Sequence, residues 1–135
     1  LQEDATPIPA VRHRISFYVD GAWRSIQWES VDESDPVDAL DVSVLQNRIL
    51  APLLDIDDPR SSDRIRFVGG IHGSKRLEEI VDAGEGAVAF SLFPTSVDAL
   101  MRIADAGQIM PPKSTWFEPK LKSGLFLHEF GKCSV

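Results

Sequence analysis

Asp20-Gly21 stands between two runs rich in β-branched and aromatic residues, Arg14-Ile15-Ser16-Phe17-Tyr18-Val19 and Ala22-Trp23-Arg24-Ser25-Ile26-Gln27-Trp28. Asp-Gly is one of the few dipeptides that accept a positive φ at both central positions of a two-residue hairpin. The chain therefore reverses here, and the rest must fold around an antiparallel pair. Side chains alternate along a strand. Ile15, Phe17 and Val19 then share one face, and Trp23 lies out of phase with Ile26 and Trp28.

After the hairpin the apolar period changes. Val42, Leu45, Ile49 and Leu53 fall at helical spacing, which predicts a helix over about 41–51 with Asp41 as N-cap and Pro52 near its end. Ile65-Arg66-Phe67-Val68 reads as a strand leading into Gly69-Gly70-Ile71-His72-Gly73-Ser74 and a helix with Leu77, Ile80 and Val81 on one side. Ala87-Val88-Ala89-Phe90-Ser91-Leu92-Phe93 is a continuous apolar run, the pattern of a central strand covered on both faces. Thr95-Ser96-Val97-Asp98 reads as a capping box for a helix that buries Val97, Leu100, Met101 and Ala104. Gly84 and Gly107 suit the left-handed residue that ends each helix. They close similar stretches, Leu77 to Gly84 and Leu100 to Gly107, which one shared stop signal explains without duplication. Asp82 and Asp105 oppose the dipole at those helix ends, so each needs a local partner or a role. Gly124-Leu125-Phe126-Leu127-His128 reads as a last strand. The expected fold is α+β: a mixed β-sheet with an N-terminal hairpin and about three packed helices. Residues 1–10, short and polar with two prolines, read as a linker before a single domain at 11–135.

The formal net charge of −7 argues against a partner bound through phosphate neutralisation along a nucleic acid. No apolar run approaches the roughly 20 residues that span a bilayer, and no signal peptide is visible. The single cysteine, Cys133, cannot form an internal disulfide, which fits a reducing, cytoplasmic setting. The acidity is uneven. Residues 1–63 hold 13 of the 21 acidic side chains and 5 basic ones, whereas from Gln108 onward there are 4 lysines against Glu118 and Glu129.

That basic end contains the chain's densest chemistry, Met110-Pro111-Pro112-Lys113-Ser114-Thr115-Trp116-Phe117-Glu118-Pro119-Lys120. Three prolines fix φ and remove donors, so the segment stays out of a helix. Lys113, Ser114 and Thr115, with Lys120, offer an ammonium, hydroxyls and backbone N–H groups, a donor set suited to phosphate or carboxylate. Two readings stand: a ligand-facing loop, or an edge strand whose aromatics pack inward and whose lysines meet water. The Gly69-Gly70-Ile71-His72-Gly73 turn before a helix offers a second backbone contact for an anion at Gly69, Gly70 and Gly73, although it lacks the phosphate-loop spacing. Its plainer reading is a tight strand-to-helix turn with His72 exposed. His13, His72 and His128 show no metal-ligand spacing. The carboxylates at 29–38 read as a solvated loop. Asp41 and Asp63 are the carboxylates to consider for binding or acid–base work.

Leu40-Asp41-Val42-Ser43-Val44-Leu45, Asp58-Pro59-Arg60, Phe67-Val68-Gly69-Gly70-Ile71, Ala89-Phe90-Ser91-Leu92-Phe93-Pro94-Thr95 and the 110–120 motif together resemble the C-terminal part of the bacterial and archaeal family DUF1015. The resemblance runs from about Phe17 to His128. It implies that this chain is a C-terminal fragment whose partner is the N-terminal remainder of the same protein. It implies no settled activity and no cofactor. The family's genes often neighbour those of serine biosynthesis, which implies phosphorylated amino-acid metabolism. The sequence thus leads to two expectations. One is a domain binding a small anionic metabolite. The other is a non-catalytic scaffold or self-association module, a homo-oligomer packed through Trp116 and Phe117.

Overall fold

The computed structural model describes residues 2–3, 5–29 and 34–115. Strands β1 (Gln2–Glu3), β2 (Arg14–Val19), β3 (Ala22–Gln27) and β4 (Ala89–Leu92) form one sheet in the order β1-β3-β2-β4. The hairpin is as expected: Val19 pairs with Ala22, and Asp20 and Gly21 take φ of 51° and 72°. All pairings among the described residues are antiparallel, so the mixed sheet of the sequence reading reduces there to an antiparallel one.

The two sheet faces carry different partners, as the period-2 alternation requires. Ile15, with Trp28, Phe90 and Leu92, packs against Leu45, Leu50 and Ile56. Phe17 and Phe90 are cross-strand neighbours with ring centroids 6.4 Å apart. On the opposite face Tyr18, Trp23 and Ala89 pack on Leu77 and Val81. Ser16 and Ser25 are buried on that face too, and the Ser16 hydroxyl donates to the Thr6 carbonyl at 2.8 Å. Residues expected to be a linker are thus part of the fold. Gln2 and Glu3 pair with β3, the Ala5 N–H donates to the Trp23 carbonyl, and Pro9 is fully buried.

The first helical segment runs as α1 (Asp41–Leu45), a π-helical turn (Gln46–Leu50) and α2 (Ala51–Leu54). Pro52 lies just past the π turn. Its ring would clash with the carbonyl four residues back in a regular helix, and the wider turn gives that ring room. The helix therefore reaches Leu54, past the expected end near 51. Leu40, and not Asp41, is its N-cap.

A 3-10 turn (Gly70–His72) leads into α3 (Gly73–Asp82), and α4 covers Val97–Asp105. Ser96 caps α4, its hydroxyl accepting the Ala99 N–H at 3.2 Å, so the cap sits one residue later than the Thr95–Asp98 box predicts. Both helices end with the same pair of bonds: Gly84 N–H to Val81 and Glu85 N–H to Ile80, then Gly107 N–H to Ala104 and Gln108 N–H to Ile103. This shared stop accounts for the sequence echo. Ala99 and Ile103 pack on Leu40, with Val37, Val42 and Met110 around them. Val97, Met101 and Ala104, expected in the buried stripe, are instead exposed.

Two strand expectations change. Residues 65–68 form no strand; Ile65 packs against the core, while Arg66 and Phe67 are exposed. β4 is shorter than the 87–93 run and sits at the edge of the described sheet instead of its centre. The expected strand at 124–128 lies outside the described residues.

Candidate functional site

A groove of about 960 Å³ opens between the sheet's β4 side and the helical segments. That volume is near the upper end for small-molecule pockets, roughly 300–1,000 Å³. Its lining includes Asp41, Gly69, Gly70, Gly73, Lys113 and Ser114. Six of the eight residues singled out from the sequence therefore border one concavity. Thr115 is exposed and lies off the lining; Lys120 lies outside the described residues. Asp63 is exposed and is not among the lining residues.

The lysine loop is fixed at both ends. Met110 packs on the cluster of Leu40, Ala99 and Ile103. The Thr95 hydroxyl donates to the Ser114 carbonyl at 3.1 Å, and the Ser114 hydroxyl donates to the Pro111 carbonyl at 2.6 Å. Between these anchors Lys113 adopts φ of 59°. A side-chain-bearing residue pays roughly 1–2 kcal/mol for that left-handed conformation. The two preceding prolines cannot share the turn's strain, because their φ is fixed. The Lys113 ammonium has no partner among the described residues, whereas the Ser114 hydroxyl is already committed to its own loop. Lys113 itself is exposed.

In the glycine turn, Gly69 is extended, and Gly70 to His72 turn before Gly73 takes φ of 68°. No side chain caps α3 there, and His72 is exposed. The His72 N–H donates to the Gly69 carbonyl at 3.0 Å and the Gly73 N–H to the Gly70 carbonyl, so these two amides of the turn are already committed.

Asp41 also borders the groove. Both carboxylate oxygens accept the His13 backbone N–H, at 3.1 and 3.3 Å. Burial pushes this carboxyl above the ordinary aspartate range; the His13 N–H and the nearby His13 and Arg12 charges oppose that only in part. Asp41 is thus a tie between the N-terminal stretch and the first helix, with part of its surface on the groove.

Sequence reasoning missed the arginines. Arg12, Arg60, Arg64 and Arg66 line the same groove. Two are already paired: Arg60 with Asp58 at 3.0 Å and Arg66 with Glu85 at 2.8 Å. Arg64 reaches the Asp55 carbonyl at 3.5 Å. Gln46 was also missed. Its amide nitrogen donates to the Ile56 and Asp57 carbonyls, and its Oε1 is buried on the groove wall without a partner among the described residues. Dispersed arginines on loops give no spacing signal, which is why only the structure gathers them.

Among the described residues no group of three or more His, Cys, Asp or Glu side chains is arranged to hold a metal, and no helix is long and apolar enough to cross a membrane. No family model, curated protein or solved structure matches this chain.

Proposed function

We propose that this domain binds a small anionic metabolite, with a phosphate as the group recognised, and works in the cytoplasm as the C-terminal part of a longer protein of the DUF1015 type. The observation that carries the reading is Lys113, a cation without a partner among the described residues, in a left-handed turn on the rim of the groove that the glycine turn also borders. Strain of this kind persists where the surroundings over-determine it, and it clusters at ligand sites. Gly69, Gly70 and Gly73 border the groove as a second backbone contact, and Arg12 and Arg64 add positive potential on an otherwise acidic chain. The resemblance of the 110–120 motif makes phosphoserine and related phosphorylated amino acids the first ligands to try.

Thermal melting in inorganic phosphate, phosphoserine and nucleotides tests this. A ligand of the native state raises the midpoint by mass action. The midpoint should climb with phosphate or phosphoserine concentration, and Lys113→Ala should abolish the climb while leaving the unliganded midpoint nearly unchanged. A mutant that melts early, with no response to any of these ligands in the wild type, would sink the proposal.

A second reading, a scaffold or self-association module, has its own support. Val97 and Met101, one turn apart on α4, are 71% and 56% exposed, and Ile109 beyond the helix is 88% exposed. An apolar strip of this kind suits a protein contact. Size-exclusion chromatography over a range of concentrations separates the readings: growth of a dimer on dilution-sensitive terms, lost in Met101→Glu, belongs to the second.

A further inference from the structure

We propose that the anion received by the groove is an amphiphile: a phosphate monoester of an aliphatic or aromatic alcohol, with one charged head on an apolar body. The inference rests on the anion reading above and names the class of molecule that the same groove takes.

Three observations select this class over a bare phosphate, a polyanion or a polar phosphorylated amino acid. The first is size. A phosphate has the bulk of a few waters at roughly 30 Å³ each, whereas the groove holds about 960 Å³. A head alone would leave most of that space to water. The second is charge. Among the described residues the lining carries five cations and four carboxylates. Arg60 and Arg66 are spent on Asp58 and Glu85, which leaves Arg12, Arg64 and Lys113 facing Asp38 and Asp41. That remainder is a surplus of one positive charge, enough for a single anionic head. A chain of phosphates would instead bring like charges up to the two aspartates. The third is the wall. Val68, Val88 and Phe93 line the groove half-buried and belong to none of the three apolar clusters of the described core. Their remaining apolar surface leaves water only when an apolar body enters. Buried Leu45, Leu50 and Ile80 line the groove as well. A mostly apolar lining with a few polar groups that fix orientation is the usual build of a small-molecule site. Phosphoserine would set an ammonium and a carboxylate against these side chains, so an apolar ester matches them better.

Titration calorimetry of the full chain with n-alkyl phosphates from methyl to octyl, each below its micelle concentration, is the test, with 1-octanol as the uncharged control. Each methylene that leaves water should tighten binding by up to about fourfold. Octyl phosphate should therefore bind at least about tenfold more tightly than butyl phosphate, at one site per chain, and at least about tenfold more tightly than octanol, since only the phosphate carries the charge that Lys113 meets. Phe93→Ser and Val68→Ser, made one at a time, should each flatten the chain-length trend. Equal affinity for methyl and octyl phosphate overturns the inference and leaves the anion reading standing. Octanol binding as tightly as octyl phosphate, or no binding of any phosphate, overturns both. A chain-length trend unchanged in both variants overturns the inference, because the alkyl chain would then lie elsewhere. Should one variant fail to fold by circular dichroism, the other variant and the wild-type series decide.

Discussion

Lys113 carries two separable properties, a charge and a strained backbone, and a single substitution can pull them apart. Lys113→Gly removes the ammonium but relieves the left-handed φ. The free protein should gain about 1 kcal/mol of stability and lose any response to phosphate, read by denaturant titration and by melting. Asp82 shows the complementary case of a polar group used for structure. Its place at the end of α3 opposes the helix dipole, and the structure explains it: the Tyr18 hydroxyl donates to it at 3.0 Å. Burial of the phenol, and then this bond, push the Tyr18 pKa up. Trp23 makes a parallel tie, its indole N–H donating to Glu78 at 2.7 Å. Tyr18→Phe should therefore cost about 1 kcal/mol, and Asp82→Asn should cost little more once Phe is present, as a double-mutant cycle would read. Asp105, at the matching place on α4, finds no such bond among the described residues, and nothing in the structure explains it.

At the scale of elements, the hairpin was legible because Asp20-Gly21 fixes both a turn type and a register. The helix ends were legible because Gly84 and Gly107 admit few alternatives. Residues 65–68 misled because β-branched and aromatic composition says that a segment suits a strand, and not whether a neighbouring strand is free to pair with it. The cap of α4 misled by one residue because Thr95 and Ser96 are both competent caps, and the distinction lies in Thr95's distant partner, Ser114. That distinction is testable. Ser96→Ala should destabilise by about 1 kcal/mol through loss of the Ala99 N–H bond. Thr95→Ala should instead leave α4 intact and loosen the lysine loop, seen as faster exchange near Ser114 with helical circular dichroism unchanged.

For the molecule as a whole, the carboxylates set opposing pH dependences. Asp35 is held below the ordinary range by the Val37 and then the Asp38 N–H groups, with help from Gln108; Asp58 and Glu85 are lowered by Arg60 and Arg66. Each contributes stability above its unfolded pKa that is lost as pH falls through its folded value. Asp41 acts in the other direction. Its folded pKa is raised, so its favourable contribution is present below the unfolded pKa and lost as pH rises through the folded value. Asp41→Asn keeps an oxygen for the His13 N–H and removes the buried charge. It should melt above the wild type at neutral pH, with the gap closing towards about pH 3. The groove itself was only half legible: sequence marked Lys113, the glycine turn and Asp41 separately, but their common border depends on the packing of Met110 and the Thr95–Ser114 bond, which no local pattern encodes. The central claim, that the Lys113 turn on this border receives an anion, is tested most directly by melting the wild type and Lys113→Gly side by side across a phosphate series. The wild-type midpoint should climb with phosphate while the mutant midpoint starts at or above it and stays level; parallel climbs, or two flat lines, would overturn the proposal.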